Sequence, residues 1–292
     1  MAGQLRGRPD RLAGGAVATR WPAPRAARSR TRRAPVARPT TTVVIPAYNE
    51  EEGIGAVLED VFATVNGEYE VLVLDDGSED NTSAVASSFP CRVVRHAERR
   101  GKGAAMRTAI RLARGKNVVF IDADGSYPAP AIPEIARALE GCDMVVASRV
   151  TGREHVPPLN RIGNAVFRGC IRRVYGFRPD DPLTGLYGLK REHLLSMELS
   201  SRGFGIEAEI AIKAAGMGLR TRDVPIEYGA RIGQAKLNGL KDGFFILLTI
   251  VRFLPRYRPW LGVLPLAAAL LAAGVVLMPP AQPPELWEAL LP

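Results

Sequence analysis

The sequence predicts an α/β domain built on a mostly parallel sheet with helices on both faces. Three observations carry that expectation. From residue 41 to about 226, short apolar runs alternate with segments of helical pattern, the order that parallel sheets require. Residues 117–121, Asn-Val-Val-Phe-Ile, are almost wholly apolar, as in a strand covered on both faces. That run ends in Asp122-Ala123-Asp124. Two carboxylates two residues apart project to one side, at the strand end where open α/β sheets bind ligands.

The elements follow in order. Residues 1–40 hold ten arginines against one acid, Asp10, and read as a disordered tail. The whole chain carries +9, so the remainder is about neutral and a basic surface for nucleic acid is excluded. The tail lacks the apolar run of a signal peptide. A passive extension and attachment to an anionic membrane surface both remain open for it. Strands are expected at 41–45, 70–74, 92–95, 117–121, 144–147, 186–190 and 220–226. Pro46 ends the first strand, and Glu51 and Glu52 open the helix 51–65. Asp80 and Asn81 cap the helix 82–89. Further helices are expected at 102–114, 132–139, 160–175 and 206–217. Residues 151–160 and 178–183 mix Pro, Gly and charge, as mobile loops over a site do.

The hydrophobic content of 47% fits a globular chain. Cys91, Cys142 and Cys170 have no metal spacing and read as reduced core residues of a cytoplasmic protein. Residues 239–254 are basic and apolar, with Phe244-Phe245-Ile246-Leu247-Leu248 before Arg252, as in a helix lying in a membrane interface. Residues 260–278 carry no charge, a length that suits a bilayer; a buried helix is the alternative. Arg252, Arg256 and Arg258 precede this segment and Glu285 and Glu288 follow it, which predicts that the α/β domain lies on the cytoplasmic face of the cell membrane. The expected organisation is a tail (1–40), the α/β domain (41–236), an interfacial helix (237–258), a transmembrane helix (259–279) and a short end (280–292).

The chemistry gathers at strand ends. Paired carboxylates repel unless a cation lies between them. Hard oxygen ligands favour Mg²⁺ or Mn²⁺, which share their shells with substrate phosphates. The first strand runs into Ile45-Pro46-Ala47-Tyr48-Asn49-Glu50, where the Tyr48 ring suits a nucleobase. The second ends in Asp75-Asp76-Gly77-Ser78, whose carboxylates suit base or ribose donors. Gly101-Lys102-Gly103 is not a P-loop. His96, His155 and His193 share no spacing and read as ordinary surface or loop residues.

Together with Arg231-Ile232-Gly233-Gln234-Ala235-Lys236, these motifs resemble the family 2 glycosyltransferases of the GT-A fold, from about residue 41 to 253. Within that family the chain is most similar to the polyprenyl- or dolichol-phosphate sugar transferases. The resemblance implies a Rossmann-like nucleotide-binding half and a GDP- or UDP-sugar held by Pro46, Tyr48, Glu50, Asp75 and Asp76, with Lys102 near the nucleotide. It implies a metal on Asp122 and Asp124, with Ala123 between them and Ser126 where relatives often place a Gln ligand. Arg149, Arg161, Arg231 and Lys236 match positions that grip the acceptor phosphate or donor diphosphate. The implied reaction inverts the sugar, with an already anionic polyprenyl phosphate as nucleophile. Were a base needed, Asp180, Asp181 and Glu209 are the candidates. Glu207 and Glu209 point about 200° apart on a helix, so one alone faces the site; Glu209 matches the family position better. A dehalogenase-type phosphatase lacks its downstream Gly-Asp here, and processive synthases carry a Gln-x-x-Arg-Trp segment that is absent. A non-catalytic, membrane-anchored nucleotide-sugar-binding protein stays open, as does transfer to another hydroxyl acceptor.

Overall fold

The computed structural model describes residues 39–234, 236 and 239–259. The Arg-rich tail up to residue 38, the apolar segment from residue 260 and the Pro-rich end lie outside the described residues. No described helix is long and apolar enough to cross a membrane.

Seven strands are described: β1 (Thr41–Ala47), β2 (Tyr69–Asp75), β3 (Arg92–Arg95), β4 (Asn117–Phe120), β5 (Met144–Thr151), β6 (Tyr187–Lys190) and β7 (Thr221–Glu227). They form one sheet in the order β3-β2-β1-β4-β6-β5-β7. β6 alone runs antiparallel, against β4 and β5. The helices are α1 (Ile54–Thr64), α2 (Thr82–Ser87), α3 (Lys102–Leu112), α4 (Ile132–Ala138), α5 (Pro158–Cys170), α6 (Arg191–Ser196), α7 (Ile206–Gly216), α8 (Gly239–Arg252) and α9 (Leu254–Tyr257). A π-helical turn, Ile171–Tyr175, continues α5.

Strand side chains alternate between two cores. Val43, Ile45 and Val73 pack with Ile54, Leu58 and Ile132 of α1 and α4 on one face. Val44, Leu72 and Phe120 pack with Met106, Ile210 and Ile246 of α3, α7 and α8 on the other. Helices therefore cover both faces, as a parallel sheet requires.

Pro46 does not end β1, contrary to the sequence expectation. The Val44 carbonyl accepts from Ile121 and the Ala47 carbonyl from Asp76, so alternation turns Pro46 toward β4. The β1–β4 ladder has already stopped at Val44 and Phe120, and the missing N–H costs no strand bond. Asn81 holds the N-cap position of α2 but makes no side-chain cap bond: its amide donates to Glu51, while Asp80 accepts from the Thr82 amide. Helix α1 starts at Ile54 rather than 51, with Glu50 accepting from the Ile54 amide.

The chain leaves β1 toward β2 and β3, then returns to place β4 on β1's other side. The crossovers diverge at that point, opening a crevice beyond the carboxyl ends of β1 and β4.

Candidate active site

In that crevice Pro46, Tyr48, Glu50, Asp76, Lys102, Asp122, Ala123, Asp124, Arg231 and Lys236 line one cleft. Arg99, Ala105 and Phe204 join them. Arg99 and Phe204 belong to no expected set; the available signals were Arg99's place just ahead of Gly101-Lys102-Gly103 and Phe204's place between two glycines. The Arg99 guanidinium lies 4.2 Å from the Tyr48 ring centroid, a cation–π contact on the wall of the cleft.

Two cations are shared among four carboxylates. Lys102, at the start of α3, places Nζ 2.7 Å from Asp122 Oδ1 and 2.7 Å from Glu207 Oε1. Burial alone would lower this ammonium, yet Asp122 and Glu207 hold it above the ordinary lysine range. Burial raises the Glu207 carboxyl, against the pull of Lys102. Arg231 places Nη1 2.8 Å from Asp124 Oδ2 and Nη2 2.5 Å from Glu50 Oε1. Burial pushes Glu50 up to about 7, with Arg231 and Lys236 pulling the other way. The Arg231 segment is laid over β4's end by two backbone bonds, Gly229 N to Ser126 O and Ile232 N to Asp124 O.

Three expected site residues, two as ligands and one as a candidate base, turn out to support the cleft rather than line it. Asp75 is fully buried and accepts from the Ser78 amide and hydroxyl at 2.8 and 2.5 Å. It closes the Asp75–Ser78 turn and leaves Asp76 to face the cleft. Ser126 is buried behind Asp124 and donates its hydroxyl to Asp124 Oδ1 at 2.5 Å, so it orients a carboxylate. Glu209 is fully buried, accepting from the Ser200 and Ser201 amides at 2.9 and 2.7 Å beside Lys213 Nζ at 2.8 Å. Burial favours its neutral form, but Lys213 and Ser201 outweigh that and hold its pKa below the ordinary value. Helix α7 is buried almost all round. The carboxylate that meets the cleft is Glu207, and the one that meets residues 200–201 is Glu209. This corrects the expectation that favoured Glu209.

Arg149 and Arg161 line an adjoining chamber with Asn164, Arg168, Asp181 and Leu183. Asp181 is bound in bidentate fashion by Arg149, at 2.5 and 2.8 Å, and so orients a cation rather than standing ready as a base. Asp180 is exposed and pairs with Arg172. A wider cleft joins both chambers, running from Lys102, Asp122 and Asp124 past Tyr127, Arg149 and Tyr228 to Gly239, Gly243 and Ile246 of α8. Residues of both expected loops, His155 and Leu183 among them, border it.

Among the described residues no three Asp, Glu, His or Cys side chains gather as a metal cage. Asp122 and Asp124 supply two hard oxygen donors instead, the kind of partial set that Mg²⁺ or Mn²⁺ completes with waters and phosphates. Gly185 makes room there: a Cβ on it would lie 2.0 Å from Asp122 Oδ2. The donor set fits a divalent ion.

The family model described as glycosyl transferase family 2 matches residues 42–189. A dolichyl-phosphate hexose transferase of Haloferax volcanii is 35% identical over 72% of this chain and 92% of its own. A dolichol-phosphate mannosyltransferase of Pyrococcus furiosus is 29% identical over 76% of this chain and 64% of its own. Among solved structures, glucosyl-3-phosphoglycerate synthase of Mycobacterium tuberculosis, in complex with Mn²⁺, UDP-glucose and phosphoglyceric acid, superposes with TM-score 0.60. It is 27% identical and covers 74% of this chain and 79% of that one.

Glu209→Gln should remove one partner of a buried ion pair, a loss of about 3 kcal/mol, and lower the melting temperature by about 6–12 °C. Glu207→Gln leaves Lys102 its Asp122 partner and should shift it by less; a larger loss for Glu207→Gln than for Glu209→Gln in thermal unfolding would reverse the assignment. Glu50 binds its proton more tightly folded than unfolded, so its contribution makes stability fall as pH rises from 4.5 toward about 7. Glu50→Gln should flatten that part of a pH–stability curve, and an unchanged slope would contradict the burial effect.

Proposed function

The chain belongs to glycosyl transferase family 2 and is a glycosyltransferase, and from that premise we propose that it moves a sugar from a nucleoside diphosphate sugar to a polyprenyl phosphate at a membrane surface, with inversion. The observation that carries this reading is the continuity of one cleft from the Asp122–Asp124 strand end to α8.

Each part of the cleft has work suited to it. Tyr48, stacked under Arg99, offers an aromatic face to a base. Lys102, Arg231 and Lys236 surround the carboxylate pair and supply positive charge for a diphosphate. A divalent ion on Asp122 and Asp124 would supply Lewis-acid stabilisation of the departing nucleoside diphosphate. Arg149 and Arg161, in the adjoining chamber, suit an acceptor phosphate, with Asp181 fixing the Arg149 fork. Such a nucleophile is ionised at neutral pH, so positioning rather than proton removal is what these arginines contribute. Attack from the chamber opposite the leaving diphosphate gives inversion.

The lipid part of the acceptor is argued from α8. Ile246 and Ile250 are buried against the core. Phe244, Phe245, Leu247, Leu248 and Val251 are exposed, between 44% and 61%. An apolar face of that kind beside the cleft's far end suits a membrane interface. The relatives named for dolichyl and dolichol phosphate support the same acceptor class.

A second reading, transfer to a hydroxyl, is favoured by Glu207, a carboxylate lining the cleft whose pKa burial raises. A hydroxyl acceptor needs a base, and Glu207→Gln should then cost about a hundredfold or more in kcat. With a phosphate acceptor the same variant should stay within about tenfold, because no proton has to be removed.

The main test incubates radiolabelled GDP- and UDP-sugars with polyprenyl phosphate, membranes and Mn²⁺ or Mg²⁺. Labelled lipid should form, and Asp124→Ala should abolish both transfer and metal-dependent nucleotide affinity in a folded protein; full activity of that variant would refute the metal role. Serine at Phe244, Phe245 and Leu248 together should lower binding to anionic vesicles at least tenfold, given about 1.5–3 kcal/mol for each apolar side chain buried. Undiminished co-sedimentation would remove α8 from the membrane reading.

A further inference from the structure

His96 carries no motif and reads from sequence as an ordinary surface or loop residue. The structure buries it instead, at 8% exposure, just past the end of β3. Its amide donates to the Asp75 carbonyl at 2.8 Å. Its Nδ1 lies 2.7 Å from Asp76 Oδ1, and its Nε2 lies 3.1 Å from the Thr108 hydroxyl on α3. One assignment satisfies both contacts in a neutral ring: Nδ1–H donates to Asp76, and Nε2 accepts the Thr108 proton.

Asp76 is the hub of a wider arrangement. Oδ1 also accepts from the Arg100 amide at 3.0 Å, and Oδ2 accepts from the Gly101 amide at 2.6 Å. One carboxylate thus ties the end of β2 to the end of β3 and to the turn that follows. That turn delivers Arg99 onto Tyr48 and Lys102 onto Asp122. It also packs directly on Gly77, whose φ is +75° and where a Cβ would lie 2.6 Å from the Glu98 carbonyl carbon. His96 itself does not line the cleft that Asp76, Arg99 and Lys102 line.

We propose that His96 is a positioning residue for the nucleotide end of the cleft, acting through Asp76 on the turn that presents Arg99 and Lys102. The inference rests on the nucleotide reading above. A carboxylate offers about four acceptor sites, and the His96 ring fixes which of them remain for the cleft. Without the ring donor, Asp76 keeps only the Arg100 and Gly101 amides, and the side-chain tie from the end of β3 to the carboxylate is lost.

The test uses the full chain and calorimetric titration with GDP and with UDP, each with Mn²⁺, following whichever binds the wild type more tightly. His96→Leu keeps bulk but no hydrogen bond. It should raise the nucleotide Kd about tenfold or more, as expected for a lost bond to a charged group, and raise the donor KM in parallel. Its kcat at saturating donor should stay within about twofold, a split that general destabilisation does not produce. His96→Asn keeps a donor near the Nδ1 position and should restore Kd to within about threefold. A Kd within twofold of wild type for His96→Leu overturns the proposal, and so does an Asn variant as weak as the Leu variant, because bulk alone would then matter. If neither nucleotide binds the wild type, the nucleotide reading falls and this proposal with it. Failure confined to the His96 variants leaves that reading standing.

Discussion

The site depends on a balance of charge that no single element supplies. Asp122 and Glu207 share the ammonium of Lys102, and Asp124 and Glu50 share the guanidinium of Arg231. Four carboxylates packed this closely without cations would repel one another and resist burial. With Lys102 and Arg231 between them the group can be buried at the sheet edge. The arrangement also suits the proposed ligands, since an incoming diphosphate and divalent ion can exchange partners with charges already in place.

The rest of the fold serves to bring those charges together. β1 and β4 end side by side because the crossovers diverge between them, which places Glu50 near Asp122 and Asp124. α3 starts at the cleft and contributes Lys102 within its first turn. α7 is covered on nearly every side and carries one carboxylate into the cleft and another into the wall. The wall carboxylate, Glu209, fixes residues 200–201; the next carbonyl, that of Arg202, accepts from the Gly103 amide. Glu209 thus steadies the start of the helix that bears Lys102, although it never reaches the cleft.

The proposed acceptor end follows a different logic. Arg149 is held by Asp181 and lies 5.3 Å from the Tyr228 ring centroid, so its fork is oriented before any ligand arrives. Beyond it the cleft becomes apolar and meets α8. A polar chamber opening onto a helix with an exposed apolar face is the gradient that a lipid with a charged head and a long hydrocarbon tail requires.

Local pattern determined much of this protein. Residues 41–227 announced most of their strands and helices through apolar runs and periodicity, with errors of a few residues at the ends; the short helix α6, Arg191–Ser196, was not among them. Asp122-Ala123-Asp124, Ile45–Glu50 and Asp75–Ser78 announced the strand ends that hold the cleft, because an apolar run that stops at polar residues marks where a buried strand leaves the sheet. The tertiary structure alone decided the partnerships. It turned Asp75 into a turn and Asp76 into a hub, chose Glu207 over Glu209, buried His96, and paired Glu50 with Arg231 across 181 residues. Periodicity describes what lies two to four residues away. Which carboxylate meets which cation depends on how a buried helix is rotated and on where a returning segment lands, and those are set by packing across the whole sheet.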